Sequence, residues 1–194
     1  MQKYGLVFLV LTIFVAGGLA ACDTLVTEAT DAADAGDLTG SVQAYEDAGA
    51  CYRTAGDGSQ CAVQYSTAAV TRETIGDLRE AADDYSAAAA CVQAITYQAL
   101  SCGQYAYKAA LLYDQIGAHN DSLIHFDKSI DCYARSSSPN DLWQAYLDRC
   151  GKAGTKPLAA RTFFNYVNTL VQKGLLACER ARVKGKLRLF RTTG

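Results

Sequence analysis

The chain has 194 residues, half of them hydrophobic and a fifth charged, with a formal net charge of −2; it can bury the core of one globular domain and is too apolar for disorder. Sixteen glycines stand beside only two prolines, Pro139 and Pro157, so long stretches can remain helical, and runs such as Ala87-Ala88-Ala89-Ala90 favour helix over strand. A collagen-like chain is excluded and an all-β domain is not expected.

Charge is unevenly divided. Residues 1–150 carry 8 Lys and Arg against 19 Asp and Glu, whereas residues 151–194 carry 10 against one. An acidic body therefore ends in a basic tail, a pattern that suits contact with anionic lipid, an acidic protein, nucleic acid or the chain's own acidic body.

From the N-terminus, Lys3 precedes eighteen residues without a charge, Tyr4 to Ala21. That run is short for a bilayer span, which needs roughly 20 apolar residues, and generous for the core of a signal peptide. Residues 1–22 are thus read as a hydrophobic signal or anchor segment. Leu19-Ala20-Ala21-Cys22 resembles a bacterial lipobox, which implies lipidation of Cys22 after cleavage. Lys3 before the segment and Asp23, Glu28, Asp31, Asp34 and Asp37 after it place the body outside the cytosol. The alternative is an amphiphilic first helix with Cys22 an ordinary thiol.

Internal repetition follows. Gly36-Asp37-Leu38 recurs as Gly76-Asp77-Leu78 forty residues later, and Gly117-Ala118-His119 follows after forty-one more. Behind each glycine comes the same pattern of a small residue, an aromatic, a small residue and cysteine. The three sets are Ser41-Tyr45-Ala48-Cys51, Ala81-Tyr85-Ala88-Cys91 and Ser122-Phe126-Ser129-Cys132. Their offsets line one face of a helix. Small side chains let two helices approach while the ring fills the space beside them. The partner helix repeats too, Cys61-Tyr65-Ala68-Ala69-Arg72-Ile75 paralleling Cys102-Tyr105-Ala109-Ala110-Tyr113-Ile116.

This pattern predicts an all-α, right-handed, tetratricopeptide-like solenoid of antiparallel helix hairpins over residues 23–183, preceded by the hydrophobic segment and followed by a basic tail at 184–194. Helices are expected at 23–35, 38–54, 60–75, 78–95, 102–116, 120–135, 140–153 and 157–183. Glycines 36, 76 and 117 fall where helices end, and Pro139 and Pro157 fall in first turns. The last helix, carrying Phe163, Phe164, Tyr166, Val167, Leu170, Leu175 and Leu176, would cap the array.

Three stretches carry a family resemblance. One runs Ile124-His125-Phe126-Asp127-Lys128-Ser129-Ile130-Asp131-Cys132-Tyr133, then Ser136-Ser137-Ser138 and Ala145-Tyr146-Leu147-Asp148-Arg149-Cys150. The others are Tyr45 to Asp57 and Leu158-Ala159-Ala160-Arg161-Thr162-Phe163-Phe164. They resemble repeats of the soluble NSF attachment protein family. The resemblance implies a cytosolic adaptor that lies along a SNARE helical bundle, couples it to a hexameric AAA ATPase and touches membrane through a hydrophobic N-terminal element, serving vesicle-mediated transport. The lipobox-like motif implies instead a bacterial lipoprotein whose repeat body scaffolds cell-envelope proteins in the periplasm.

Eight cysteines include no Cys-x-x-Cys, and two histidines cannot complete a familiar zinc set. Cys51, Cys91 and Cys132 lie on the packing stripe and read as small buried hydrophobes. The alternative joins the end of one helix to the start of the next through Cys51–Cys61, Cys91–Cys102 and Cys132–Cys150, leaving Cys22 and Cys178 outside; such staples need an oxidising compartment. No phosphate-binding loop, nucleophile elbow or calcium loop is present, so neither an enzyme nor a cofactor is expected.

The off-stripe charges, among them Glu46, Asp47, Glu73, Glu80, Asp83, Asp84, Asp127 and Asp131, make the exterior acidic and favour basic protein partners. In the tail, Lys184, Lys186, Arg188 and Arg191 alternate with Val183, Leu187, Leu189 and Phe190, which suits a lipid interface. The acidic body disfavours nucleic acid.

Overall fold

The computed structural model describes residues 3–136, 139–160, 162, 163 and 165, with side chains from residue 19 onward apart from Pro139. Among these residues the protein is all-α, with seven α-helices, one 3-10 turn and no strand. The helices are α1 (Lys3–Asp34), α2 (Leu38–Ala55), α3 (Gly58–Ile75), α4 (Leu78–Val92), α5 (Ala99–Gln115), α6 (His119–Ser136) and α7 (Pro139–Lys152), with the 3-10 turn at Thr96–Gln98. Two compact units divide the chain, Met1–Cys91 with α1 to α4 and Val92–Gly194 with the rest. The boundary read after residue 22 falls inside α1, whose backbone is continuous across it.

Glycine ends five of the seven helices. Gly36, Gly56, Gly76, Gly117 and Gly154 have φ of 81°, 79°, 91°, 76° and 62°, the left-handed region that only a residue without Cβ enters cheaply. The next amide closes each cap on a carbonyl five residues back, as in Asp37 N to Ala32 O (2.9 Å), Asp57 N to Tyr52 O (2.9 Å), Asp77 N to Arg72 O (2.9 Å) and Ala118 N to Tyr113 O (2.8 Å). Asp37 and Asp57 then serve the following helix, their carboxylates accepting from Gly40 N and Gln60 N at 2.9 Å. Two residues thus stop one helix and start the next. Gly56-Asp57 is a turn that the forty-residue comparison passes over, because it lies between units of the repeat.

Within Met1–Cys91, α1, α2, α3 and α4 are successive antiparallel neighbours joined by these turns. Gly49 of α2 faces the ring of Tyr65 on α3 so closely that a Cβ there would lie 2.8 Å from it. Ala48, Ala68, Ala69, Ala81, Ala82, Ala88 and Ala89 are fully buried. The stripe residues Ser41, Ala48, Ala81, Tyr85 and Ala88 are buried, whereas Tyr45, Cys51 and Cys91 are half-buried. Tyr45 reaches the rim of α1, its hydroxyl 3.4 Å from Thr30 Oγ1.

Within Val92–Gly194 the same seam recurs. Ser122, Phe126, Ser129 and Cys132 of α6 are buried, and Gly103 of α5 admits the Tyr133 ring, which would stand 2.5 Å from an added Cβ. The α7 side carries a core of Tyr133, Ala134, Leu142, Ala145 and Phe163. Phe163 stacks on Tyr146 with centroids 4.3 Å apart and meets Trp143 at 5.2 Å.

Three helix boundaries differ from the sequence expectation. α4 stops at Val92 rather than 95, since Ile95 is extended (φ −91°, ψ 105°) before the 3-10 turn; β-branched Ile95 and Thr96 hold a helix weakly. α5 begins at Ala99, three residues early. Pro157 lies in the non-helical segment 155–159 rather than in a first turn, where Leu158 N donates to Tyr146 Oη at 3.0 Å. The remainder of the expected helix 157–183 past residue 165, with Cys178, lies outside the described residues, as do the side chains of residues 1–18.

Ser41, Ser122 and Ser129 are fully buried, and their hydroxyls have no hydrogen-bond partner among the described residues. Ala81 and Ala88 occupy the corresponding places of α4. Ser129→Ala should therefore raise stability by about 1 kcal/mol in urea denaturation, because it removes an unsatisfied group without opening a cavity. Gly103→Ala should lower stability by about 1–3 kcal/mol through its clash with Tyr133. Gly151→Ala, whose Cβ meets nothing within 4 Å, should instead raise it by roughly 0.5 kcal/mol.

Candidate functional site

Each hairpin is closed by a glycine turn at one end and a cystine at the other. The disulfides are Cys22–Cys51, Cys61–Cys91 and Cys102–Cys132, with sequence separations of 29, 30 and 30 and Cα–Cα distances of 5.5, 5.8 and 5.7 Å. They join α1 to α2, α3 to α4 and α5 to α6. This corrects the pairing of consecutive helix ends: Cys51–Cys61, Cys91–Cys102 and Cys132–Cys150 do not form. Cys150 is a free, buried thiol.

The reason is geometric. Antiparallel helices with equal rise bring together residues equidistant from their turn. Cys61 and Cys91 each lie 15 residues from Gly76, Cys102 and Cys132 each 15 from Gly117, and Cys22 and Cys51 lie 14 and 15 from Gly36. Cys22 is fully buried and its sulfur is bonded to Cys51. That sulfur is not available for the lipid thioether that the lipobox-like motif implies. On the chain-entropy account each 30-residue loop contributes roughly 3–4 kcal/mol.

In the first unit the cystines Cys22–Cys51 and Cys61–Cys91 pack into one cluster around Tyr52, with Leu19, Val26 and Tyr65 beside them. The Tyr52 hydroxyl donates to Asp23; burial and that carboxylate push the phenol up to about 12. The Arg53 guanidinium lies 4.9 Å over the Tyr65 ring, and its Nη2 stands 3.7 Å from Cys91 Sγ. Beside it opens a cavity of about 300 Å³ lined by Arg53, Gly56, Gly58, Cys61, Ala90 and Cys91. In the second unit Arg135 sits on Cys102–Cys132, its Nη2 3.3 Å from Cys132 Sγ and its Nη1 donating to Gln93 O at 2.7 Å.

At the middle of the first unit, Arg72 of α3 donates to Glu46 of α2 and, at 3.0 Å, to Asp84 of α4. One guanidinium thus ties three helices. Asp84 is buried, and its carboxyl is pushed up to about 7, first by burial and then by the neighbouring Glu46 carboxylate, while Arg72 pulls the other way. Tyr85 donates to Glu73 at 2.7 Å. In the second unit Arg149 bonds Asp127 at 2.8 Å and Lys152 reaches Asp114. Neither the ionic ties nor the arginines at sulfur were legible in the repeat, because they depend on which charges the folded turns bring together.

The exterior of the first unit is acidic. Residues 19–91 hold thirteen Asp and Glu against three Arg, and Glu28, Asp31, Asp34, Asp47, Glu73, Glu80 and Asp83 are exposed. Asp127 and Asp131 are exposed in the second unit. No metal-holding group of His, Cys, Asp and Glu occurs among the described residues, and none of their helices is long and apolar enough to cross a membrane. Lys184, Lys186, Arg188 and Arg191 lie outside the described residues.

No family model matches the chain, and no curated protein does. Among solved structures, BtubC (BKLC) from P. vanneervenii is similar at a TM-score of 0.49 and 14% identity, over 86% of this chain and 69% of that one.

The Asp84 carboxyl supplies a pH test. Its folded value near 7 stands above the ordinary 3.8, so the folded state holds the extra proton and stability falls as pH rises from about 4 to 7. Asp84→Asn keeps an acceptor for Arg72 and removes the titration. Urea midpoints across pH 4–8 should show the native chain losing stability relative to Asp84→Asn over that window; a flat difference would mean that Asp84 is ionised throughout.

Proposed function

We propose that this chain is a scaffold that binds basic segments of other proteins outside the cytosol, its hairpins stacking as a right-handed, tetratricopeptide-like solenoid. The carrying observation is the repeated unit: about forty residues, a glycine turn, a small-residue seam and a cystine at the open end. Such pairs bury their seams and leave their outer faces for partners. The acidic exterior supplies the selectivity, since a lysine- or arginine-rich segment is attracted to it and an acidic one repelled.

Three cystines favour an oxidising compartment. With them, the uncharged run from Tyr4 to Ala21 is best read as an export signal or membrane anchor, without lipid on Cys22. The basic tail would reach anionic headgroups or the chain's own acidic body. A SNARE-directed role, which the family resemblance implies, asks for a cytosolic chain and a basic binding face; the cystines and the acidic surface weigh against both.

Two measurements test the reading. Non-reducing peptide mapping of protein taken from its native source without reductant should recover Cys22–Cys51, Cys61–Cys91 and Cys102–Cys132; recovery as free thiols would remove the oxidising compartment. Fluorescence anisotropy at low salt should show a Lys- and Arg-rich peptide binding the full chain while a Glu-rich peptide of equal length does not. Glu80→Lys with Asp83→Lys should weaken that binding about tenfold. Equal binding of both peptides would sink the charge-based selectivity.

A further inference from the structure

The three cystines are not equally placed. Cys102 and Cys132 are 0% and 1% exposed and lie beneath Arg135, whereas Cys22–Cys51 and Cys61–Cys91 each join a fully buried cysteine to a half-buried one. Cys91 is half-buried and lines the 300 Å³ cavity together with its partner Cys61. A thiol that enters this cavity comes up against a wall that includes both residues of this cystine.

The cavity also selects by charge. Arg53 is exposed, its guanidinium is directed at Cys91 Sγ and the Tyr65 face, and it makes no ion pair with a carboxylate among the described residues. Gly56 and Gly58 on the wall carry no side chain to obstruct an approaching group. A small thiol bearing a carboxylate can therefore set its anion against Arg53 while its sulfur approaches Cys91.

We propose that Cys61–Cys91 is a thiol-exchange site for a small anionic thiol, with Cys91 the sulfur that becomes modified. The thiolate attacks Cys91 Sγ, the Sγ–Sγ bond to Cys61 breaks, and its electron pair leaves on Cys61 as a thiolate. The incoming sulfur is oxidised to a mixed disulfide on Cys91, and Cys61 is reduced. Attack at Cys91 suits the leaving group, because Cys61 lies in the first turn of α3, which begins at Gly58, where helix amides stabilise a thiolate. Exchange would open the staple of α3 and α4 and leave the others closed. This site is independent of the protein-binding surface.

The test uses the oxidised full chain, with glutathione as the anionic probe and cysteamine as the cationic one, at equal thiolate concentration. Samples are quenched with N-ethylmaleimide and mapped without reduction. Glutathione should appear on Cys91 and maleimide on Cys61 before Cys22–Cys51 or Cys102–Cys132 opens. Glutathione should react about fivefold faster than cysteamine, an advantage that Arg53→Met abolishes. Should that variant not fold, salt near 1 M, where the Debye length is about 3 Å, should erase the same advantage in the native chain. First opening of another cystine, addition at Cys61, or a preference that survives both treatments would overturn the proposal.

Discussion

Everything in this structure depends on how closely two antiparallel helices can lie. The seams are built of alanine, serine and glycine, with aromatic rings filling the remaining space, as Tyr65 does over Gly49 and Tyr133 over Gly103. Close approach gives dense contact, but it buries little area for each residue, since an alanine side chain removes far less apolar surface from water than a leucine. Such a core gains its cohesion from packing and covalent linkage more than from hydrophobic bulk. The high helix propensity of alanine contributes as well, because it lowers the cost of ordering each helix before it docks.

Much of this was written in the sequence. Gly36, Gly76 and Gly117 mark turns because only glycine is at ease at their φ, and Ala48, Ala81, Tyr85, Ala88, Phe126 and Ser129 mark the seam because helical periodicity puts them on one face. The cystine pairs depart from the sequence expectation for a physical reason. Cysteines near in sequence, such as Cys51 and Cys61, lie across a turn between hairpins, whereas an antiparallel hairpin pairs residues that are symmetric about its own glycine. The signal was present in the numbers 61, 76 and 91, and again in 102, 117 and 132. Gly56 was passed over because a forty-residue period hides the twenty-residue period of single helices.

Charges were less legible. The sequence pattern sets Glu46 and Asp84 off the packing stripe and Arg72 within the repeat of the partner helix, with nothing to join the three. The folded chain brings them together from three helices, and only there does Arg72 hold two carboxylates at once. A buried carboxyl beside a second carboxylate is tolerable because one proton or one guanidinium can be shared between them. Glu28, Asp31 and Asp34 are exposed and remain as an outward field. The same composition therefore yields an internal clamp and an external acidic field, divided by which residues the Gly-Asp turns carry inward.

The cystines stand where the other constraints are weakest. At the turn, Gly36-Asp37 or Gly76-Asp77 already fixes both helix ends through paired backbone caps, and a crosslink there would close a loop too short to remove much chain entropy. Fifteen residues away, about 22 Å along each helix, nothing in the local backbone keeps the two strands of the hairpin together. A bond at that end closes a loop of about thirty residues and stops the helices from splaying apart. It also follows that opening such a bond frees the hairpin end without disturbing its turn.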